Sequence, residues 1–288
     1  MPVVHHFAHG PVNPVAAYAL AFLGSLLGLA STARATATGT RSRRARWLVT
    51  AAFSIGGGIW LMHFTAMLGF DIPDSPIRYD PRLTLASAVL AVLVVGLGLA
   101  FVGTGRRALW KLLAGGLFTG VGVAAMHYTG MAALHVTGSL GYQPRIVGAS
   151  VLIAIIAATV ALWLSVTVRG RGPIVLSAGI MALAVCGMHY TGMAGLTVDL
   201  VHDGTPVRGM DPIVLILPIV VSASVALVAL AFGALQTVTV EDFARPVTAV
   251  RRRDVRPLRA HPVSLAEFNA SMPIPYSSTV ASHDGKSG

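Results

Sequence analysis

The sequence has few charged residues and almost no cysteine. Only 11% of its 288 residues are Asp, Glu, Lys or Arg, and Cys186 is the single cysteine. A soluble domain carries about 25% charged residues, so this chain cannot cover a globular surface with its own charges. One cysteine allows neither an intramolecular disulfide framework nor a CxxC site. These absences exclude a soluble enzyme and a disulfide-stabilised secreted domain.

The residue patterns of common enzymes are also missing. The sequence has no Ser/His/Asp arrangement, no phosphate-binding glycine loop and no paired carboxylates in its apolar segments. We therefore expect neither an enzyme nor a proton-coupled transporter. The net charge of +10 would suggest nucleic-acid binding in a soluble protein. Here the positions of the charges indicate membrane topology instead, and we expect no nucleic-acid partner.

Seven long apolar segments dominate the sequence, in which 55% of residues are hydrophobic. Each has about 20 residues or more, enough for a helix to cross the roughly 30 Å hydrocarbon core of a bilayer. The segments are residues 12–33, 47–70, 83–104, 110–134, 146–168, 173–198 and 213–237. We predict an all-α polytopic membrane protein with seven transmembrane helices.

The basic residues are distributed unevenly between the two ends of these helices. The loops after the first, third and fifth helices and the C-terminal tail hold 17 of the 21 Lys and Arg residues. Because such loops stay in the cytoplasm, we predict an outside N-terminus and a cytoplasmic C-terminus, with all charges in loops and tail. We assign residues 1–240 to the membrane domain and residues 241–288 to a basic, disordered tail, too short for a kinase or cyclase domain.

One hexapeptide pattern occurs three times, at intervals of 64 and 62 residues. The copies are Met62-His63-Phe64-Thr65-Ala66-Met67, Met126-His127-Tyr128-Thr129-Gly130-Met131 and Met188-His189-Tyr190-Thr191-Gly192-Met193. The first six helices are therefore three copies of a two-helix hairpin. Each histidine lies eight to ten residues before the outer helix end, about 12–15 Å deep. We predict that the three histidines share one layer around a pseudo-threefold axis.

The repeated residue types are those of a soft metal site. Histidine and the second methionine of each copy are four residues apart and share a helix face. Imidazole and thioether donors without carboxylates suit copper, whose vacant position could accept a diatomic gas. The predicted ligands are His63, His127 and His189 with Met67, Met131 and Met193, followed by Met62, Met126 and Met188.

Simpler roles for these residues stay open. A single membrane histidine commonly forms only an interhelical hydrogen bond, and a methionine fills space. Ionisable groups within a membrane nevertheless indicate function, and three at matched depth favour a site. Phe64, Tyr128 and Tyr190 could wall the site or donate a hydrogen bond. Cys186 could be an accessory ligand or simply a small packing residue.

With this repeat, the chain resembles the MHYT family of bacterial integral-membrane sensor domains, in a stand-alone form without a cytoplasmic output domain. The tetrapeptide that names the family stands at residues 126–129 and 188–191, and Phe64 replaces its tyrosine in the first copy. The resemblance implies location in the bacterial cytoplasmic membrane and copper binding through Met, His and Tyr near the outer face. It also implies sensing of oxygen, carbon monoxide or nitric oxide.

We accordingly predict a non-enzymatic sensor in the lipid bilayer that binds copper and responds to a diatomic gas or to redox state. Its output would pass to a separate cytoplasmic signalling partner. One alternative is a membrane haem or electron-transfer protein, with two of the histidines as axial ligands. Another is a copper carrier or transporter, in which the Met/His layer is a transit site.

Overall fold

Six long helices form the body of the protein. The computed structural model describes residues 10–73, 75–104, 108–201 and 206–219, with six further residues between 221 and 229. The helices are α1 (Val12–Ala37), α2 (Arg41–Met67), α3 (Pro81–Gly103), α4 (Leu109–Ala132), α5 (Pro144–Thr167) and α6 (Arg171–Ala194). All six are long and apolar enough to cross a membrane, which confirms the polytopic helical fold.

The seventh predicted helix falls partly outside the described residues. A 3₁₀ turn (Pro212–Leu215) continues into helical residues 216–219, and the few described residues after them are also helical. The seventh membrane span therefore stays a prediction. The predicted tail, residues 241–288, lies outside the described residues.

Two of the helices, α3 and α5, and the 3₁₀ turn begin with a polar residue followed by proline. Asp80 caps α3, its carboxylate accepting hydrogen bonds from the backbone N–H groups of Arg82 and Leu83 at 2.7 and 3.0 Å. Pro81 follows at the first helical position, where the missing N–H costs nothing. Asp211-Pro212 starts the 3₁₀ turn in the same way, with the Asp211 carboxylate accepting from the N–H of Ile213, whereas Gln143-Pro144 starts α5 without a side-chain cap.

The helices extend beyond the apolar segments, so the prediction that all charges lie in loops and tail is wrong. Several basic residues lie within the terminal turns of the helices: Arg34, Arg41, Arg43, Arg44, Arg46, Arg82, Lys111, Arg145 and Arg171. Long basic side chains can lie along an apolar helix while their charged ends reach water, so a helix can outlast its apolar segment.

The six helices close into a ring. Each packs against its neighbour in sequence, and α6 returns to pack against α1. Glycines allow some of these close approaches: a Cβ on Gly56 would lie 2.7 Å from the Cα of Val92 in α3, and one on Gly120 would meet the backbone of Ile155 in α5. The equivalent contacts in successive hairpins confirm the internal repeat.

The three longer connections pair with one another at one end of the ring. They contain four strands: β1 (Arg78–Tyr79), β2 (Leu134–His135), β3 (Gly138–Tyr142) and β4 (Leu196–Leu200). β1 pairs antiparallel with β2, β3 pairs antiparallel with β4, and Tyr79 forms a bridge with Met210. We call these strands and Met210 the collar. It joins every hairpin to the other two, and the sequence did not predict it.

The buried apolar residues form two clusters along the ring axis. The central core includes Met62, Met126 and Met188. The collar-end core includes Met67, Met131 and Met193 together with Phe64 and Tyr79. Many large apolar side chains face outward, among them Leu85, Leu93, Leu97, Leu152, Ile156 and Leu183. Such a continuous apolar exterior suits lipid and would be costly in water.

Candidate metal centre

The histidines of the three motifs meet on the axis of the ring. His63 on α2, His127 on α4 and His189 on α6 are each 1% exposed. Their Nδ1 atoms are 3.1 Å apart for His63 and His189, 3.2 Å for His63 and His127, and 3.3 Å for His127 and His189. The rings stand edge to face, with interplanar angles of 81°, 85° and 90°. The predicted convergence at one depth is therefore present.

The Nδ1 atoms form a nearly equilateral triangle of the size that a metal ion requires. The point in their plane equidistant from all three lies about 1.9 Å from each atom, slightly less than the roughly 2.0–2.1 Å of an imidazole–zinc bond. Within the described residues, these histidines are the only group of three potential His, Cys or carboxylate ligands close enough to share an ion.

Three neutral imidazoles cannot satisfy one another in this arrangement. Each nitrogen either donates a hydrogen bond or accepts one. Among three nitrogens, at least two must therefore have the same role, so that two donors or two acceptors face each other at 3.1–3.3 Å. A cation at the centre would receive a lone pair from all three. The geometry thus fits a metal ion better than hydrogen bonding among the histidines alone.

Glycines of the neighbouring motif make room for two of the rings. A Cβ on Gly130 would come within 3.0 Å of Nε2 of His63, and a Cβ on Gly192 would come equally close to Nε2 of His127. Both Nε2 atoms are buried and have no hydrogen-bond partner. Each of these imidazoles is therefore held against the backbone of the next motif. Ala66 stands at the corresponding position in the first copy.

Each of the three histidines lies in a segment that matches a known protein family. A family model named MHYT, described as a bacterial signalling protein N-terminal repeat, matches the chain three times, at residues 56–116, 120–178 and 183–250. Together these matches cover more than half of the chain. The chain belongs to the MHYT family. No solved structure matches it.

Curated relatives of this MHYT chain are signalling proteins. It is 41% identical over 198 residues to the bifunctional diguanylate cyclase/cyclic di-GMP phosphodiesterase MucR of Pseudomonas aeruginosa, covering 66% of this chain and 29% of the relative. It is 35% identical over 212 residues to the cyclic di-GMP phosphodiesterase NbdA of the same organism, covering 72% and 27%. The chain thus spans less than a third of either relative, and the activities in their names belong to those proteins.

The methionines of the MHYT motifs surround the histidine layer. All six are at most 3% exposed. The first methionine of each motif belongs to the central core and the second to the collar-end core, so thioethers lie toward both ends of the ring. Ligation by these sulfur atoms stays a prediction. Cys186 lies in the central core and does not join the three histidines as a donor.

The aromatic residues of the motifs have different surroundings. Phe64 is fully buried, with its ring 5.8 Å from that of Tyr79. The Tyr128 hydroxyl is hydrogen-bonded to Oγ of Ser150 at 2.6 Å, and its ring stands edge-on to Tyr142 at 5.7 Å. Tyr190 is partly buried and packs against the central core. Phe64 and Tyr128 thus help to wall the layer, each against an aromatic ring of the collar.

Tyr79 is a candidate site residue that the motif search missed. It is 1% exposed and belongs to the same cluster as Met67, Met131 and Met193. Its hydroxyl has no hydrogen-bond partner, and burial raises its pKa. A signal was available, because Tyr79-Asp80-Pro81 and Tyr142-Gln143-Pro144 repeat the same pattern. Tyr79 thus adds a buried hydroxyl without a hydrogen-bond partner to the collar-end core, to which the second methionine of each motif also belongs.

Proposed function

We propose that this membrane domain is a sensor that binds one copper ion through His63, His127 and His189 and responds to a diatomic gas or to redox state. The triangle of three buried Nδ1 atoms carries the proposal. Membership of a bacterial signalling family supports the sensory role. Bound copper would supply a redox-active centre with an open position for a small ligand.

Copper is favoured over zinc by the residues around the triangle. Three imidazoles alone suit zinc as well as copper. Six buried methionines, one before and one four residues after each histidine, provide thioethers, which favour Cu(I). The chain itself would orient the imidazoles through Gly130 and Gly192, and would exclude water through the collar above them.

The collar end is proposed to face the outside of the bacterial cytoplasmic membrane. The short connections after α1, α3 and α5, with the arginine-rich helix ends beside them, lie at the opposite end of the ring. By the distribution of basic residues that arginine end is cytoplasmic. The histidines would then sense from the outer half of the membrane, and a separate cytoplasmic partner would read changes at the arginine end.

The geometry gives less support to the two alternatives. Axial haem ligands lie on opposite faces of a macrocycle, and Nδ1 atoms 3.1–3.3 Å apart leave no space for such a plane between them. A transport site would exchange its ion, whereas here all three donors are enclosed. Absorption in the Soret region, or movement of copper into proteoliposomes, would favour these alternatives.

The decisive experiment is elemental analysis of the detergent-purified protein after loading with Cu(I). We expect about one copper per chain in the wild type, and loss of that copper in His63→Ala, His127→Ala and His189→Ala, because each variant removes one of three equivalent donors. His135→Ala is the matched control, since His135 is exposed and its Nδ1 donates to the carbonyl of Arg208 at 2.9 Å. Equal copper in all five proteins, or selective retention of zinc, would overturn the copper assignment.

A further inference from the structure

A partly open cavity lies among the six helices on the arginine side of the histidine layer. Its volume is about 60 Å³, and residues from α1 to α6 line it. Met188, the residue before His189, lies at one end of the α6 lining and Met181 at the other. Seven residues of helix separate them, so the cavity extends along about 10 Å of the ring axis. One end of the cavity therefore lies at the level of the histidine layer, and the other lies about 10 Å nearer the arginine end.

The cavity lining is almost entirely apolar. Ser25 and Thr119 are the two polar side chains among its 15 lining residues. Thr119 is 4% exposed, and its hydroxyl has no hydrogen-bond partner. A buried water needs two to four polar partners, whereas apolar cavities stay dry and bind xenon or small apolar molecules. The lining thus suits an apolar guest better than a chain of waters.

We propose that this cavity is a binding site for a small apolar gas molecule. Its volume can accept a diatomic molecule or a xenon atom. Transfer of an apolar solute from water into such a lining is favourable. Met188 borders the cavity, and the next residue along α6 is His189, so one end of the cavity lies at the level of the histidine layer. The cavity would therefore supply gas to the metal from within the membrane, and this second role rests on the proposed function.

Xenon binding to the metal-free protein tests the cavity without involving the metal. We expect one saturable site in xenon NMR, which Ala158→Leu abolishes because Ala158 is buried and lines the cavity. Ala149→Leu is the matched control, since Ala149 is exposed on the same helix. Absence of a saturable site, or a site that Ala158→Leu leaves intact, would overturn the proposal.

Thr119→Val gives a second variant that keeps the side-chain shape and does not overfill the cavity. It removes the unpartnered hydroxyl, so xenon affinity should be unchanged or higher. Lower xenon affinity in Thr119→Val would show that the site depends on this hydroxyl, which an apolar site does not require, and would overturn the apolar assignment.

The two roles of the cavity can fail separately. Copper content after loading is measured for wild type and Ala158→Leu on the same preparations. A protein that binds xenon but takes up no copper would refute the proposed function and leave the gas site in place. In copper-loaded protein, carbon monoxide association should be slower in Ala158→Leu than in Ala149→Leu. Equal association rates in these variants would overturn the supply role.

Discussion

The collar half and the arginine half of the ring differ in how closely their helices fill the axis. In the collar half, three imidazoles stand with ring centroids 5.0–5.1 Å apart, and two of them lie against glycine backbone. In the arginine half, the axis is occupied by a cavity of about 60 Å³. The axis is therefore closely packed at the histidines and has free volume toward the arginine end. A larger cavity of about 970 Å³ in the collar half is lined by β2, β3 and the end of α4 but by none of the three histidines.

This contrast suggests where a signal can be converted into movement. Close-packed interiors transmit strain, because side chains there have few alternative positions. Free volume lets neighbouring helices repack into a second arrangement. A ligand at the histidines can shift such an equilibrium only through its different affinity for the two arrangements. Under the proposed function, the collar half would detect the ligand and the cavity half would change shape.

The largest expected effect comes from filling the tight half. Gly130→Ala and Gly192→Ala each place a Cβ within 3.0 Å of an imidazole Nε2, on His63 and His127 respectively. The ring must move, and its Nδ1 then leaves the triangle. We expect copper affinity to fall roughly 10–100-fold, as for other residues that orient metal-binding histidines. Competition with a Cu(I) chelator measures this affinity.

Gly187→Ala is the control for this prediction. Gly187 is exposed on α6 two residues before His189, and its added Cβ would meet nothing within 4 Å. Copper affinity should stay at the wild-type value. If Gly130→Ala also binds copper normally, the glycine contacts do not position the imidazoles. Close packing around the histidines is then not required for copper binding.

A smaller effect compares one buried and one half-buried tyrosine of the collar half, Tyr79 and Tyr128. Tyr79→Phe removes a hydroxyl without a partner and should raise the free energy of unfolding of the metal-free protein by about 1 kcal/mol. Tyr128→Phe breaks the 2.6 Å hydrogen bond to Ser150 and should lower it by about 1 kcal/mol. Unfolding in detergent measures both. A decrease for Tyr79→Phe would show that its hydroxyl is bonded in the folded protein.

The sequence was sufficient to predict the tight half in outline. The apolar segments located α1 to α6, and the repeat placed His63, His127 and His189 at one depth because equal positions in repeated hairpins share a level. Neither signal could give the rotation of each helix about its axis. The sequence therefore did not predict that Nδ1 faces inward or that Gly130 lies against His63 of the preceding motif.

The collar and the cavity could not be predicted from the sequence, for a different reason. The strands are two to five residues long, and each pairs with a strand from another connection, so hydrophobic alternation is too short to identify them. A cavity is a mismatch among side chains of several helices. Thr119 and Ala158 are ordinary helix residues in the sequence, and only the packing of α4 against α5 makes them lining residues.

The smallest expected effect lies at the edge of the collar, where Asp80 caps α3. The backbone N–H of Leu83, with that of Arg82, holds the pKa of the exposed Asp80 carboxyl below its ordinary value of 3.8. A lowered pKa in the folded state means that the carboxylate stabilises the fold above pH 3.8, and that this contribution is lost as pH falls through the folded-state pKa. The melting temperature of the wild type should therefore decline relative to Asp80→Asn below about pH 4, since asparagine caps without titrating. If the melting temperatures of the two proteins change equally as the pH is lowered, the charge of Asp80 does not contribute to the stability of the fold. A decline in the wild type would instead show that the Asp80 carboxylate stabilises the start of α3.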